Sequence, residues 1–224
     1  MNLSVSGIFV QTALYSFFSY SHSAIYMSQS AQFTLRKTLR NRRQKLSPLE
    51  QQVHAEHACQ HLINANLLDN VRRIAVFLSQ DGELNTQVLI KKLWNMPNVE
   101  TYLPVLETRP EWHMGFASYK PNSKLSLNKF NIPEPDVKLN EHFSGDQMDL
   151  VIVPLVGFDR TGNRMGMGGG YYDRTFEFKL QKPNTKPLLV GWAHYCQQVE
   201  QIEREVWDVS LDAIVTEKGL LTWP

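Results

Sequence analysis

Charge is missing from the start of this chain: no Asp, Glu, Lys or Arg precedes Arg36. The absence excludes the positively charged head that a secretory signal places before an apolar stretch such as Gly7–Phe18. Gln11, Thr12, Ser16, Ser19, Ser21 and His22 interrupt that stretch, so the long apolar run of a membrane span is missing as well. Residues 1–30 are therefore expected to be a dispensable or disordered extension, with Met27 as an alternative start, and residues 31–224 to form one folded domain. Cysteine is scarce. Cys59 and Cys196 offer neither metal-ligand spacing nor a disulfide framework, which suits a reducing compartment such as the cytoplasm. Excess charge of either sign is lacking too: a formal net charge of +1 gives no field for a dedicated nucleic-acid binder. With no internal repeat and 42% hydrophobic residues, the chain has the content of an ordinary globular core.

The charge that does occur is uneven. Arg36, Lys37, Arg40, Arg42, Arg43 and Lys45 crowd one proline-free segment, where helical spacing puts Arg36, Arg40 and Arg43 on one face. A solvated face is the plain reading of such a run, and a phosphate or nucleic-acid contact the next. Ser47-Pro48-Leu49-Glu50 reads as a capping box with proline at the first helical position, opening a second helix to about Leu68. His54, His57 and His61 recur along it, but no nearby carboxylate or cysteine completes a metal set, so a half-packed histidine face is expected.

Arg73–Ser79 has the composition of a buried strand, followed by a turn at residues 80–85 and a helix capped by Thr86 and running to about Asn95. Glu83 then sits beyond a strand's C-terminal end, where open α/β sheets bind ligands. Val99–Leu106 and Trp112–Tyr119 read as further strands, the second antiparallel. Lys120–Asp136, with Pro121, Pro133 and Pro135, reads as an ordered loop carrying Phe130, an aromatic able to pack or to stack on a flat ligand. Short strands are expected at Leu188–Trp192 and Ala213–Thr216. The pattern implies an α/β class: a mixed, mostly parallel sheet flanked by helices in a single domain.

The densest chemistry lies in DLVIVPLVGFDRTGNRMGMGGGYYDRTF, residues 149–176. A strand at Leu150–Val153 leads through a turn-rich loop, Gly157–Asn163, to Gly166, Gly168, Gly169 and Gly170, then to a short amphipathic helix. Glycines let backbone N–H groups approach an anion, and a helix N-terminus adds a favourable dipole. Arg164 and Arg174 place positive charge on both sides. No Lys-Ser or Lys-Thr follows the glycines, which excludes a Walker A loop, and a third Rossmann glycine would fall on Tyr171. A tight βα turn without a ligand remains the alternative. Asp173 could hold Mg²⁺ against phosphates; Asp208 and Asp212 could meet a divalent ion or merely cap turns.

GFDRTGNRMGMGGGYYDR, together with FLSQDGELNT at residues 77–86, YLPVL, NIPEP and DVSLDAIVTE in that order, resembles the 5-formyltetrahydrofolate cyclo-ligase family over roughly residues 32–224. The resemblance implies an enzyme that uses ATP and Mg²⁺ to close 5-formyltetrahydrofolate into 5,10-methenyltetrahydrofolate, as a monomer or weak dimer with no nucleic-acid or membrane partner. It implies ATP contacts at Gln32, Arg36, Arg164, Met165, Gly166, Met167, Gly168, Gly169, Gly170, Tyr171 and Tyr172. Arg164 and Tyr172 would be catalytic. Substrate contacts would fall on Leu78, Glu83, Phe130, Gly168, Gly170 and Tyr171, and the divalent ion on Asp173 and Asp208. Two positions depart from the family's habit: Gln32 stands where a basic residue is usual, and Gly169 where some relatives carry lysine. A phosphosugar isomerase or acyl-transferase relative and a nucleic-acid module led by the basic helix are the competing readings. Phosphoryl transfer needs positioning and positive charge rather than a protein nucleophile, and no Ser-His-Asp set is evident.

Overall fold

The computed structural model describes residues 30–106 and 108–223. The chain divides after Thr38 into two units. The described part of the first is the opening of helix α1 (residues 30–44). The expected N-terminal extension otherwise lies outside the described residues. The second unit, from Leu39, holds everything that follows.

Helix α2 (Pro48–Asn64) begins where the capping box puts it: Glu50 N–H donates to Ser47 Oγ at 3.3 Å, and Ser47 N–H donates to Glu50 Oε2 at 2.8 Å. It ends before the expected Leu68, because Asn66 takes a left-handed φ of 55° that no helix continues. Its buried face is Ala55, Ala58, Cys59 and Leu62, at the spacing of one helical stripe. Strand β1 (Arg73–Ala75) is shorter than the apolar run suggests, although Val76 still donates to the Tyr102 carbonyl at 2.9 Å. Helix α3 (Gln87–Trp94) follows. Thr86 sits at its N-cap but does not cap it; the hydroxyl donates to the Phe77 carbonyl at 2.6 Å instead, tying the helix start to the chain leaving β1.

Strands β2 (Glu100–Val105) and β3 (Gly115–Ser118) form an antiparallel pair. The segment expected to be loop contains a small hairpin, β4 (Leu125–Leu127) with β5 (Pro133–Pro135). Both prolines are admitted because the ladder bonds fall on alternate positions: Asn128 N–H donates to Ile132 and Asp136 N–H to Lys124, while Pro133 and Pro135 lie between. Strand β6 (Leu150–Pro154) leads into a second hairpin, β7 (Gly157–Phe158) with β8 (Arg164–Met165), where a turn-rich loop was expected. Helix α4 (Tyr171–Thr175), β9 (Leu188–Trp192), β10 (Ala213–Thr216) and an edge strand β11 (Gly219–Leu221), which sequence reasoning did not anticipate, complete the chain.

Seven strands form one sheet in the order β11-β10-β9-β6-β1-β2-β3. The five inner strands are parallel and both edges antiparallel. Strand alternation splits the core: Leu150 and Ile152 face α2 and α3, while Val151 and Val153 face Phe158 and Phe176. After β1 the chain turns toward β2, and after β6 toward β9, on the opposite side. β1 and β6 therefore flank the topological switch point, where the loops beyond their C-terminal ends part and leave a crevice. Among the described residues no helix is long and apolar enough to cross a membrane.

Candidate active site

The crevice is walled by residues 77–86 after β1 and residues 155–170 after β6, the two stretches in which the sequence concentrates glycine, arginine and acid. A buried cation links them. Arg43 on α1 is 1% exposed. Its Nε donates to the Asp81 carbonyl at 2.9 Å, Nη2 to Asp81 Oδ2 at 3.0 Å and Nη1 to the Leu155 carbonyl at 3.2 Å. Nη1 also lies 3.6 Å from Glu83 Oε1. Arg40 joins at 2.8 Å from Asp81 Oδ2. The solvated-face reading thus fails for Arg43, whose charge is engaged inside the protein, while Arg40 stays partly exposed and pairs with Asp81 at the surface. The signal was Leu39, fully buried four residues before Arg43, which marks that face as inward.

Glu83 Oε2 accepts from Gln80 N–H at 3.1 Å. Its side chain is largely enclosed, and burial pushes its pKa up against the pull of Arg43. Across the crevice, Tyr172 is half-buried at the start of α4. Burial raises its pKa first, the Glu83 charge raises it further and Arg164 lowers it, so these three groups share one electrostatic neighbourhood. Leu78 packs at the margin of the core beside Glu83's loop. Phe130, half-exposed at the tip of the β4–β5 hairpin, meets the Tyr171 ring edge-on at a centroid distance of 6.2 Å. The hairpin thus carries Phe130 to the end of the glycine loop.

Arg164 leaves β8 with its side chain 5% exposed; its guanidinium donates to the Val209 carbonyl and, at 2.6 Å, to Asp173 Oδ1. Asp173 Oδ1 also accepts from Val209 N–H at 3.2 Å. Asp208, the neighbour of Val209, accepts from Glu205 N–H through Oδ2 at 2.8 Å and shares a surface depression with Arg164. Among the described residues, each carboxylate has one oxygen without a hydrogen bond. Two partly exposed oxygen donors joined through Val209 fit a hard cation that keeps several waters and binds phosphate as well. Asp212 is structural: its Oδ2 accepts from Leu189 N–H at 2.7 Å and lies 3.3 Å from Lys179.

The glycines fall into two kinds. Gly168 takes φ +94° and Gly170 φ +62°, left-handed positions that favour glycine. A Cβ on Gly166 or Gly168 would meet nothing within 4 Å, so the loop presents open backbone there. Gly169 carries no side chain where lysine was the alternative; its carbonyl accepts from Arg174 Nη2 at 2.8 Å. Arg174 thereby clamps the loop from the far side. Met167 is exposed, whereas the Met165 side chain is buried in β8 and its carbonyl accepts from Val156 N–H at 2.7 Å. The expected amphipathic helix is the five-residue α4, too short to supply much dipole, so backbone amides and the arginines carry the positive field. Gln32 and Arg36 lie in the first unit, one turn apart on α1, with Arg36 Nη2 3.4 Å from Gln32 Oε1.

Asp159 holds the turn between β7 and β8 that aims Arg164. Almost fully buried, it accepts from Thr161 N–H and Oγ1, Asn163 N–H and Nδ2, and Ile202 N–H. Burial raises its pKa, but these hydrogen bonds outweigh it and hold the carboxyl below its usual range. Because the folded pKa is depressed, the stabilisation is full above the ordinary carboxylate value and is lost as pH falls through the folded one. Asp159→Ala should cost about 3 kcal/mol at neutral pH, and the gap from wild type should narrow below about pH 4. Urea unfolding at both pH values measures it; equal gaps would rule out the charged form as the stabilising one.

The family model for the 5-formyltetrahydrofolate cyclo-ligase family matches residues 28–217. The chain belongs to this family. The cyclo-ligase of Escherichia coli strain K12 is 40% identical over 185 residues, covering 83% of this chain and all of that protein. The cyclo-ligase of Mus musculus is 30% identical over 194 residues, covering 84% and 94%. Among solved structures, the NMR structure of Aquifex aeolicus 5,10-methenyltetrahydrofolate synthetase superposes with a TM-score of 0.71 at 28% identity, covering 85% of this chain and 92% of that one. The cyclo-ligase family resemblance and the mixed, mostly parallel sheet read from the sequence are therefore both borne out.

Proposed function

We propose that the protein closes 5-formyltetrahydrofolate into 5,10-methenyltetrahydrofolate at the expense of ATP, releasing ADP and phosphate, with the crevice between β1 and β6 as its active site. The observation that carries this reading is the convergence of Glu83, Arg164 and Tyr172 at the switch point of a cyclo-ligase fold. A formyl group on nitrogen is a poor electrophile, since the amide resonance must be broken. Attack of its oxygen on the γ-phosphorus forms an O–P bond, expels ADP and leaves an imidate phosphate. N10 then attacks the activated carbon, loses its proton, and phosphate departs with the former formyl oxygen.

Each side chain has a task in this scheme. The open backbone around Gly166 and Gly168 receives the phosphates, and the remaining glycine-loop residues through Tyr171 line the same path. Arg164 neutralises charge on the transferring phosphoryl group. Tyr172, kept as a neutral phenol by burial beside Glu83, donates a hydrogen bond there. Glu83 and Leu78 hold the pterin end, and Phe130 lies against a flat ring. Asp173 and Asp208 would hold Mg²⁺, which when bound offsets phosphate charge. Gln32 and Arg36 are proposed to add nucleotide contacts. Two free cysteines suit a reducing compartment, and the cytoplasm is the setting we propose.

The test is absorbance at the methenyl band on mixing purified protein, 5-formyltetrahydrofolate, Mg²⁺ and ATP. A rise that needs both nucleotide and metal is expected; ATP binding without a rise would overturn the substrate. Glu83→Ala should raise the KM for folate about tenfold or more, the loss of one charged hydrogen bond, with a smaller change in the KM for ATP. An unchanged folate KM would remove Glu83 from the substrate's contacts.

A further inference from the structure

Beside Arg43 and Gly82 of the crevice wall, the C-terminal ends of β9 and β10 meet the middle of α2. His54 on α2, His194 just past β9 and Glu217 just past β10 each offer a ligand atom, and these atoms all lie within 4.8 Å of one another. His54 Nδ1 is 2.9 Å from His194 Nδ1 and 3.9 Å from Glu217 Oε1. We propose that His54, His194 and Glu217 form a binding site for a transition-metal dication of the zinc class, separate from the carboxylates of the crevice.

The geometry is close to what such an ion demands. Ligands about 2.0–2.2 Å from a tetrahedral zinc stand roughly 3.3 Å apart, and the two separations above straddle that value. Two imidazoles and one carboxylate suit zinc and its neighbours; an all-oxygen ion such as Mg²⁺ would not choose them. Among the described residues, no other three His, Cys, Asp or Glu side chains come together this closely.

The protein's own packing satisfies the trio only in part: the two Nδ1 atoms share a hydrogen bond at 2.9 Å, and the Gly82 backbone lies near the His194 ring. His194 is fully buried, and its Nε2 has no hydrogen-bond partner. An aliphatic side chain would fill that space without the desolvation cost of an imidazole. Glu217 is oriented by Tyr195 N–H, which donates to its Oε2 at 2.9 Å and leaves Oε1 toward His54. The His54 side chain is 20% exposed, which gives an entry path and room for a water as fourth ligand. The sequence held half of this site: the α2 histidines were visible, but their partners lie far along the chain.

The experiment uses the full chain, stripped with chelator and titrated with Zn²⁺ against a chromophoric competitor in excess Mg²⁺. One equivalent of zinc and a raised melting temperature are expected, as is a visible absorption band of tetrahedral type when Co²⁺ replaces zinc. His54→Ala and Glu217→Gln should each weaken zinc binding about 100-fold, whereas His57→Ala, one turn away and exposed, should not change it. His54 sits on a partly exposed helix face, so its variant keeps the fold and the comparison stays clean. No zinc uptake by wild type, or zinc affinity unchanged in either ligand variant, would overturn the site.

Discussion

Arg43→Met is expected to lower the unfolding free energy by about 3–5 kcal/mol, the cost of removing one partner from a buried ion pair. Methionine matches the arginine stem, so packing is largely kept and the loss isolates the charge. Asp81 would keep Arg40 and Gln44, and the Leu155 carbonyl would keep Gln197 Nε2 at 2.9 Å. Glu83 has no such reserve: its remaining bond is to Gln80 N–H, inside a largely enclosed pocket. Adding Glu83→Gln to Arg43→Met should therefore return part of the loss, a coupling of about 1–2 kcal/mol. Denaturant unfolding of the two single variants and the double one measures it. A loss under about 1 kcal/mol for Arg43→Met would mean that the guanidinium behaves as a surface group.

Arg164→Ala is expected to reduce turnover by about 100- to 1000-fold at saturating substrates, the cost of removing one preorganised charge from the transition state. A residue on a loop would be lost with little effect on folding, and the sequence suggests such a position. The side chain instead bridges β8 to Val209 and Asp173, so a stability loss of about 1–3 kcal/mol should accompany the kinetic one. The two effects separate in Arg164→Lys. A single ammonium restores charge but lacks the planar fork by which Nη1 reaches the Val209 carbonyl and Nη2 reaches Asp173. That variant should recover turnover less than tenfold. Steady-state kinetics with excess nucleotide decides: full activity in Arg164→Lys would show that charge alone suffices, and full activity in Arg164→Ala would end the proposed role.

What the sequence disclosed follows from the length and strength of each local signal. Leu188–Trp192 and Ala213–Thr216 were legible to the residue because inner parallel strands are apolar on both faces. The capping box announced α2 for the same local reason. The β4–β5 and β7–β8 hairpins and β11 span two or three residues per strand, too few for a period to register. Glu83, Arg164 and the glycines could be singled out as candidates because they are close in sequence to strand ends, whereas the candidate role of Tyr172 came from the family resemblance. Arg43 could not, since a lone buried arginine inside a basic run looks like its neighbours. Its role depends on Asp81 and Leu155, contacts that only the assembled sheet creates.

The seam between β1 and β6 also has a consequence for how the protein is made. Ile74 and Leu150 pair across it, yet α3, β2, β3 and the first hairpin lie between them in the chain. During synthesis the ribosome releases that entire half before the strand that completes the crevice exists. A nascent chain halted at residue 140 would carry Glu83 and its loop beside an unpaired β1 edge, without β6 and the glycine loop. The closing contact is non-local, and such contacts are won late and slowly. Catalytic competence should therefore emerge after most of the chain has left the exit tunnel, as a single late event.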